Sequence, residues 1–309
     1  MNTMMNYTIR ESDAGSTVSS YLRGQGFSGR ILASLKKIPG AFCLNGRPVF
    51  ASHILCCGDI LSVSLPETRE SSPVTPVPMD LHILYEDDCL MVINKPAGVP
   101  VHPSQGNHGN TLADGTAWYM SQKPEPEPFV FRAVSRLDRD TSGLILVAKN
   151  RLAASVLSSR AGSHSLHREY AAIVCGRTDP SGTVSAPIGR KEGSVIERTV
   201  DPVHGESAVT RYVTLAYRKD ADLSFLRLLL STGRTHQIRV HMNHIGHPIP
   251  GDFLYCPDFR HIRRQALHSV FLRFEHPFTG ELLEFEAPLP EDMASLFPEF
   301  VSGIRSPFG

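Results

Sequence analysis

The stretch SRLDRDTSG, residues 135–143, sets one carboxylate, Asp138, between two guanidinium groups, Arg136 and Arg139. Asp, Thr, Ser and Gly are turn residues, and the run could be nothing more than a turn. A turn, however, does not need arginines on both sides of an acid. Cationic neighbours hold a carboxylate ionised. An ionised Asp at a strand tip, backed by a sheet, can serve as nucleophile or electrostatic stabiliser. A second basic turn, LSTGRTHQIRVH at 230–241, adds Arg234 and Arg239. Two arginine-rich turns at strand ends, one carrying the acid, read as a site.

Two other patterns carry less. GQGFSG at 24–29 has the letters of a dinucleotide-binding loop, but a helical segment precedes it and no acid lies between 30 and 58. That loop needs a strand before it and an acid about 20 residues on, so a turn is the better reading. HQIRVHMNHIGH at 236–247 holds four histidines, and His241 and His244 are three apart on an expected helix. The H-E-x-x-H arrangement with its general-base glutamate is absent. Polar histidines facing solvent or RNA are expected there, and no metal.

The elements that must position these residues follow from periodicity and turn signals. FVFRAV (129–134) and LILVA (144–148) read as strands on either side of the Asp138 turn, and EYAAIVCG (169–176) as another. ESAVTRYVTLAYRKDADLSFLRLLLSTG is a hairpin turning at Lys219–Asp222. THQIRVHMNHIG is a helix closed by Gly246. HILYEDDCLMVINKP gives strand, turn and strand; TLADGTAWYM and RLAASVLSSRA give helices, and KPEPEPF (123–129) an extended loop. Short turns between successive strands favour a mostly antiparallel sheet carrying helices, an α+β architecture.

Upstream, PETRESSPVTPVPMD (66–80) has the proline-rich, small-polar composition of a linker. It divides a module at 1–66 from a body at 81–300, with the linker itself at 67–80. The module reads as caps and a short helix within SDAGSTVSSYL (12–22), a second amphipathic helix capped by Ser28, a hairpin at Asn45-Gly46 and a strand at 60–66.

The whole chain has 309 residues, 41% of them hydrophobic, with 31 Lys+Arg against 31 Asp+Glu. That neutrality argues against a general polyanion binder, but the charge is segregated. Residues 1–66 hold six Lys/Arg against three Asp/Glu, residues 131–170 seven against three, and 281–299 only acids. A polyanion would sit on the first two. The six cysteines form no C-x-x-C pair, and free thiols in a reducing compartment are expected. No run reaches the roughly 18 apolar residues of a membrane span, so a cytoplasmic protein is expected.

The segments INKPAGVPVHPS (93–104), SRLDRDTSGLILVAK (135–149), REYAAIVCG (168–176), STGRTHQIRVHM (231–242), GHPIPGD (246–252) and QALHS (265–269) occur in an order that resembles the RluA-type pseudouridine synthases over roughly residues 80–290. Ser135 departs from the family's usual His before the arginine. The resemblance implies the pseudouridine synthase fold: a mixed, mostly antiparallel central sheet flanked by helices. The N-terminal module resembles a degenerate RNA-binding domain named after ribosomal protein S-four, with Arg30, Lys36 and Lys37 as its remaining basic residues.

The implied reaction is isomerisation of uridine in RNA, without a cofactor. The bond from ribose C1′ to uracil N1 breaks, the base turns, and C5 bonds to C1′. The uridine must be swung out of its stack. By the resemblance Asp138 is the catalytic carboxylate, Arg234 its ion-pair partner, and Tyr170 the ring that stacks on uracil and helps remove the C5 proton. Arg136 fills the gap left by the base. Leu229 or Leu230, with Leu229 put first, walls off water. Arg139, Thr141, Thr235, His236, Gln237, Arg239 and Lys95 are further contacts to substrate or RNA. Large-subunit ribosomal RNA is the expected partner, with transfer RNA as the alternative; no membrane is expected, and a monomer is. Two other classes stay open: a non-catalytic RNA-binding relative, indifferent to loss of Asp138, and a hydrolase using the histidine cluster or a second carboxylate such as Asp140.

Overall fold

The computed structural model describes residues 2–66, 74–104, 109–124, 129–161, 166–300, 303 and 306–308. Half of the expected linker (67–73) and most of the expected loop (125–128) lie outside the described residues.

Residues 2–66 build a small four-stranded sheet. Its elements are β1 (Asn2–Thr8), α1 (Val18–Gly24), α2 (Gly29–Leu35), β2 (Phe42–Leu44), β3 (Arg47–Pro48) and β4 (Ile60–Pro66), in the sheet order β1-β4-β2-β3. The caps act as their residue types dictate: Thr17 Oγ1 accepts from the Ser20 amide at 3.2 Å, and Ser28 Oγ from the Ile31 amide at 3.3 Å. Asn45 (φ 51°) and Gly46 (φ 79°) both adopt the positive φ that a two-residue hairpin turn of this hand requires. Ile31, Leu32 and Leu35 turn inward against Phe42, Leu61 and Val63.

The body runs β5 (Ile83–Glu86), β6 (Leu90–Lys95), α3 (Leu112–Ser121), β7 (Arg132–Ala133), β8 (Ser142–Ala148), α4 (Arg151–Ala161), β9 (Leu166–Cys175), β10 (Ser181–Ser185), β11 (Ile188–Arg190), β12 (Arg198–Val200), β13 (Val209–Arg218), β14 (Leu223–Leu230), α5 (Gln237–His244), β15 (Leu267–Glu275), β16 (Leu282–Glu286) and α6 (Glu291–Ala294). Ten strands join in one sheet, β10-β13-β14-β9-β15-β8-β6-β5, with β16 paired to β15 and β7 to β8; β11 and β12 pair separately. Only the β15–β8 contact is parallel among the described pairings. The fold is α+β with a mixed, mostly antiparallel sheet.

The apolar runs LMVI and LILVA have no polar alternation because both their faces are covered. Met91, Ile93, Ile145 and Val147 face a core shared with α3, while Leu90, Val92, Leu144 and Leu146 face Ala153 and Leu157 of α4. Leu152 of α4 turns the other way, into the core of the N-terminal sheet, and so seats that module on the body. Where β8 meets β15, Gly143 (φ 107°) lies so close that an added Cβ would stand 2.1 Å from the Ser269 carbonyl oxygen. That junction fixes the turn just before it, which carries Asp138.

Candidate active site

The Asp138 turn is held from beneath by backbone and by one buried cation. The Thr141 amide donates to the Asp138 carbonyl at 3.1 Å, and the Gly98 amide to the Arg139 carbonyl at 3.0 Å. Lys95 is fully buried at the end of β6, and its Nζ donates to the carbonyls of Pro96 (2.7 Å), Val99 (2.9 Å) and Arg139 (2.9 Å). Burial pulls the Lys95 pKa down to about 7, against the attraction of Asp140 and Asp138. Its expected place against RNA is therefore corrected. It has no exposed surface and acts on the turn from inside. Thr141 is likewise buried, and its Oγ1 accepts from Gln265 Nε2 at 2.8 Å.

The Asp138 side chain is 27% exposed and opens on a cavity of about 340 Å³. A smaller recess of about 50 Å³ lies alongside, between Asp138, Tyr170, Leu230 and Arg239. Its partner is not the arginine expected. Arg239 Nη1 donates to Asp138 Oδ2 at 2.7 Å, while Arg234 pairs with Glu206 and donates its Nε to the Ser207 carbonyl at 3.0 Å. The helical frame decides this. Arg234 precedes α5 and its side chain is 38% exposed, whereas Arg239 is inside α5 between buried Ile238 and Val240 and is 2% exposed. The two arginines that flank Asp138 in sequence do not pair with it either. Arg139 grips Asp140 with Nε and Nη2 (3.0 and 2.9 Å), and Arg136 Nη2 donates to Thr235 Oγ1 at 3.1 Å. Asp140 is thereby committed to Arg139 and is no second carboxylate at the cavity.

Arg239 also binds Asp252, fully buried, with Nε to Oδ2 at 2.6 Å and Nη2 to Oδ1 at 2.7 Å. Burial alone would lower its pKa; the hydrogen bonds and charges of Asp252 and Asp138 raise it instead. Asp252 was passed over in the sequence, although GHPIPGD contains it. The signal was an arginine set between two apolar helix residues, which requires a buried acid.

His236, left-handed at φ 57° where α5 begins, sets Nε2 3.9 Å from Asp138 Oδ1 and Nδ1 3.1 Å from the Tyr255 hydroxyl. Burial lowers its pKa, opposed by Asp138, so at neutral pH the ring facing the carboxylate is uncharged. Gln237 lines the recess, but its amide is engaged inside the protein. Oε1 accepts from the Arg234 amide (2.9 Å) and Thr232 Oγ1 (2.8 Å), and Nε2 donates to the Val209 carbonyl (3.0 Å).

Tyr170 on β9 is 5% exposed and lines both recess and cavity. Burial raises its pKa, with Arg168 opposing and Asp138 adding, so the phenol keeps its proton. Leu228 is its register partner on β14. Side chains two apart share a face, so Leu230, not Leu229, stands beside Tyr170 and lines the recess. Leu229 faces the other side, opposite Glu169 and Arg211. His102 also lines the cavity unforeseen, its ring 5.1 Å from that of Phe131.

The remaining predicted residues lie elsewhere. Lys36 and Lys37 border a groove of about 670 Å³ on the N-terminal sheet, with Phe50 85% exposed beside them. Arg30 lines a separate cleft against α4. His241 and His244 share no ligand position. His241 is fully buried, with Nδ1 2.9 Å from Thr210 Oγ1 and Nε2 2.9 Å from the Ala186 carbonyl oxygen.

Among the described residues one cluster has metal-type donors, Asp87, Cys89 and His276, away from the cavity. Most of its donors are used. His276 Nδ1 accepts from the Thr279 amide at 3.0 Å, while Nε2 lies 3.0 Å from Asp87 Oδ2 without hydrogen-bond geometry. Asp87 Oδ1 accepts from the amides of Cys89 (2.6 Å) and Leu90 (2.8 Å), and burial pushes the Cys89 thiol up to about 12. The cluster ties β16's approach to the β5–β6 turn.

Comparison with known proteins gives a consistent set of likenesses. The sequence model for RNA pseudouridylate synthase matches residues 89–244. The chain is 45% identical to the uncharacterized RNA pseudouridine synthase YjbO of Bacillus subtilis over 282 residues, covering 91% of this chain and 98% of that one. It is 39% identical to the ribosomal large subunit pseudouridine synthase D of Zymomonas mobilis, with 84% of each chain covered. Among solved structures, human RNA pseudouridylate synthase domain containing 1 superposes with a TM-score of 0.55 at 27% identity, over 71% of this chain and 87% of the other. Among the described residues no helix is long and apolar enough to cross a membrane.

Proposed function

This chain belongs to the RNA pseudouridylate synthase family and is an RNA pseudouridine synthase, and we propose that it isomerises uridine in large-subunit ribosomal RNA with Asp138 as its catalytic carboxylate. The observation that carries the catalytic assignment is a carboxylate at the mouth of a cavity, gripped on one oxygen by a buried arginine and facing a buried tyrosine. The ribosomal target rests on the relatives named synthase D.

A uridine turned out of its stack brings its base toward Tyr170 and its C1′ toward Asp138. Asp138 supplies negative charge as the C1′–N1 bond breaks and the sugar becomes electron-poor. The Tyr170 ring offers the detached uracil a stacking face; C5 bonds to C1′, the proton leaves C5, and N1, freed of the sugar, takes one up, so that none is gained or lost, with the Tyr170 hydroxyl placed to relay it. Leu230 closes the recess beside the base and keeps water from capturing the sugar. Arg136, near the cavity mouth, fills the place of the departed base, and Arg139, Arg234 and Thr235 meet the backbone around it. The module at 1–66 adds RNA contacts through Arg30, Lys36 and Lys37. The protein works as a cytoplasmic monomer.

The test uses ribosomal and transfer RNA from cells lacking this protein, labelled with tritium at uridine C5. The wild type releases tritium from the large-subunit fraction, and Asp138→Asn binds the same RNA and releases none. Release from the transfer RNA fraction alone would move the target, and release by Asp138→Asn would remove Asp138 from the chemistry.

A further inference from the structure

Four arginines line the cavity: Arg136, Arg139, Arg168 and Arg234. Three are engaged, by Thr235, Asp140 and Glu206 respectively. Arg168 differs. Among the described residues it has no ion pair, and its Nε is buried without a hydrogen-bond partner. Leaving a desolvated guanidinium nitrogen unpaired is unfavourable and calls for an explanation; Nε itself has no accessible surface, so a ligand in the cavity would meet the Nη1–Nη2 end of the group.

Its position says which part of the ligand. Arg168 and Tyr170 are two apart on β9 and share the face toward the cavity. Tyr170 borders the inner recess beside Asp138 as well; Arg168 borders only the outer cavity. Gly233, in the turn before α5, packs on the guanidinium so closely that a Cβ there would lie 3.3 Å from Nη1. The glycine lets the arginine lie between strand and turn at the edge of the cavity. With a uracil at Tyr170 and C1′ at Asp138, the parts that reach the outer cavity are the ribose and its flanking phosphates. A planar fork of N–H donors matches a phosphate in two parallel bonds.

We propose that Arg168 binds a phosphate next to the reacting uridine and so sets the register of the RNA on the cavity. The inference rests on the synthase reading above.

The experiment takes a transcript that releases tritium with the wild-type protein and compares Arg168→Met and Arg168→Lys as full chains. For Arg168→Met, KM rises about tenfold or more while kcat changes little, from loss of one charged hydrogen-bonding group. The slope of log affinity against log salt flattens by roughly 0.7, the share of one phosphate contact on a single strand. Arg168→Lys keeps the slope. In a second arm, neutral methylphosphonate replaces either linkage flanking the reacting uridine. At one of them the wild type loses as much as Arg168→Met does, and the variant loses nothing more. An unchanged slope in Arg168→Met, a loss in kcat alone, or no loss at either linkage with the wild type would each overturn the assignment. If the methionine variant does not fold, Arg168→Gln takes its place in both arms. No tritium release from any RNA by the wild type would instead undo the synthase reading on which this depends.

Discussion

Replacing Arg239 and Arg234 in turn distinguishes the arginine that holds Asp138 from the one that lies near it. Arg239 makes three charge-assisted bonds of 2.6 to 2.7 Å, two to Asp252 and one to Asp138, with 2% of its side chain exposed. Arg239→Lys keeps the charge but has one ammonium for two carboxylates, and so gives up the fork on Asp252 or the bond to Asp138. Breaking a buried pair costs about 3–5 kcal/mol. The lysine recovers part, so a loss of about 3 kcal/mol is expected, or a melting temperature lower by roughly 6–12 °C at a few degrees per kcal/mol. A hydrogen bond to a charged group is worth about 1.5–3 kcal/mol, so tritium release slows by roughly 10- to 150-fold if Asp138 loses it in the transition state. Arg234→Met removes an exposed pair whose side chains are 38% and 70% exposed. Such pairs contribute about 0–1 kcal/mol, so its melting point stays within a few degrees of the wild type. Its effect appears as a higher KM for RNA. Thermal melts and steady-state tritium release measure both. If Arg234→Met lost kcat with an unchanged KM while Arg239→Lys turned over normally, the assignment of Arg239 would be wrong.

Two further perturbations test the frame. Lys95→Met removes the three donors that hold the carbonyls of Pro96, Val99 and Arg139; with buried acceptors orphaned, we expect a loss of about 3 kcal/mol and a fall in kcat with RNA affinity retained, and a variant that melts and turns over like the wild type would refute the role of Lys95. His268 is 1% exposed, and burial, with Arg264 next, lowers its pKa from 6.5 to about 4. The folded ring therefore stays neutral while the unfolded chain binds a proton below pH 6.5, so stability falls as pH drops from about 6.5 to 4, by up to about 3 kcal/mol at 1.36 kcal/mol per pH unit. Urea unfolding of His268→Met at several pH values in that window should have a shallower acid slope than the wild type; an identical slope would clear His268 of the effect.

What the sequence disclosed was whatever short-range rules govern. The Asn45-Gly46 hairpin, the cap at Ser28, the turn at Lys219–Asp222 and the stop at Gly246 are local, and all stand where turn and cap chemistry puts them. β1 escaped because NTMMNYT alternates weakly and becomes a strand by pairing with β4, nearly sixty residues away. The choice of Leu230 over Leu229 needs the register of β14 against β9, since one step along a strand reverses the face. The pairing of Asp138 with Arg239 rather than Arg234 needs the start of α5 to be known within a residue or two, the least legible feature of a helix.

The arrangement around Asp138 also explains why a buried arginine can serve a reaction that needs negative charge. A lone Arg–Asp pair would cancel, and the carboxylate would offer the sugar little. Here Arg239 is shared. Asp252 takes two of its N–H groups from within the core, and Asp138 takes one at the cavity. With both acids ionised the three groups sum to one negative charge, and the exposed member of the set is Asp138. His236, neutral through burial, adds no cation to offset it. Asp252 thus neutralises the arginine so that the arginine can orient Asp138 without quenching it. Field and geometry are set before RNA arrives, which is where preorganised electrostatic stabilisation gets its strength. By this logic Asp252→Asn leaves Asp138 in position but pairs it with a cation that nothing else balances. The expected result is a slower isomerisation with RNA affinity unchanged, and an Asp252→Asn protein with wild-type kcat would show that the second acid serves the fold alone.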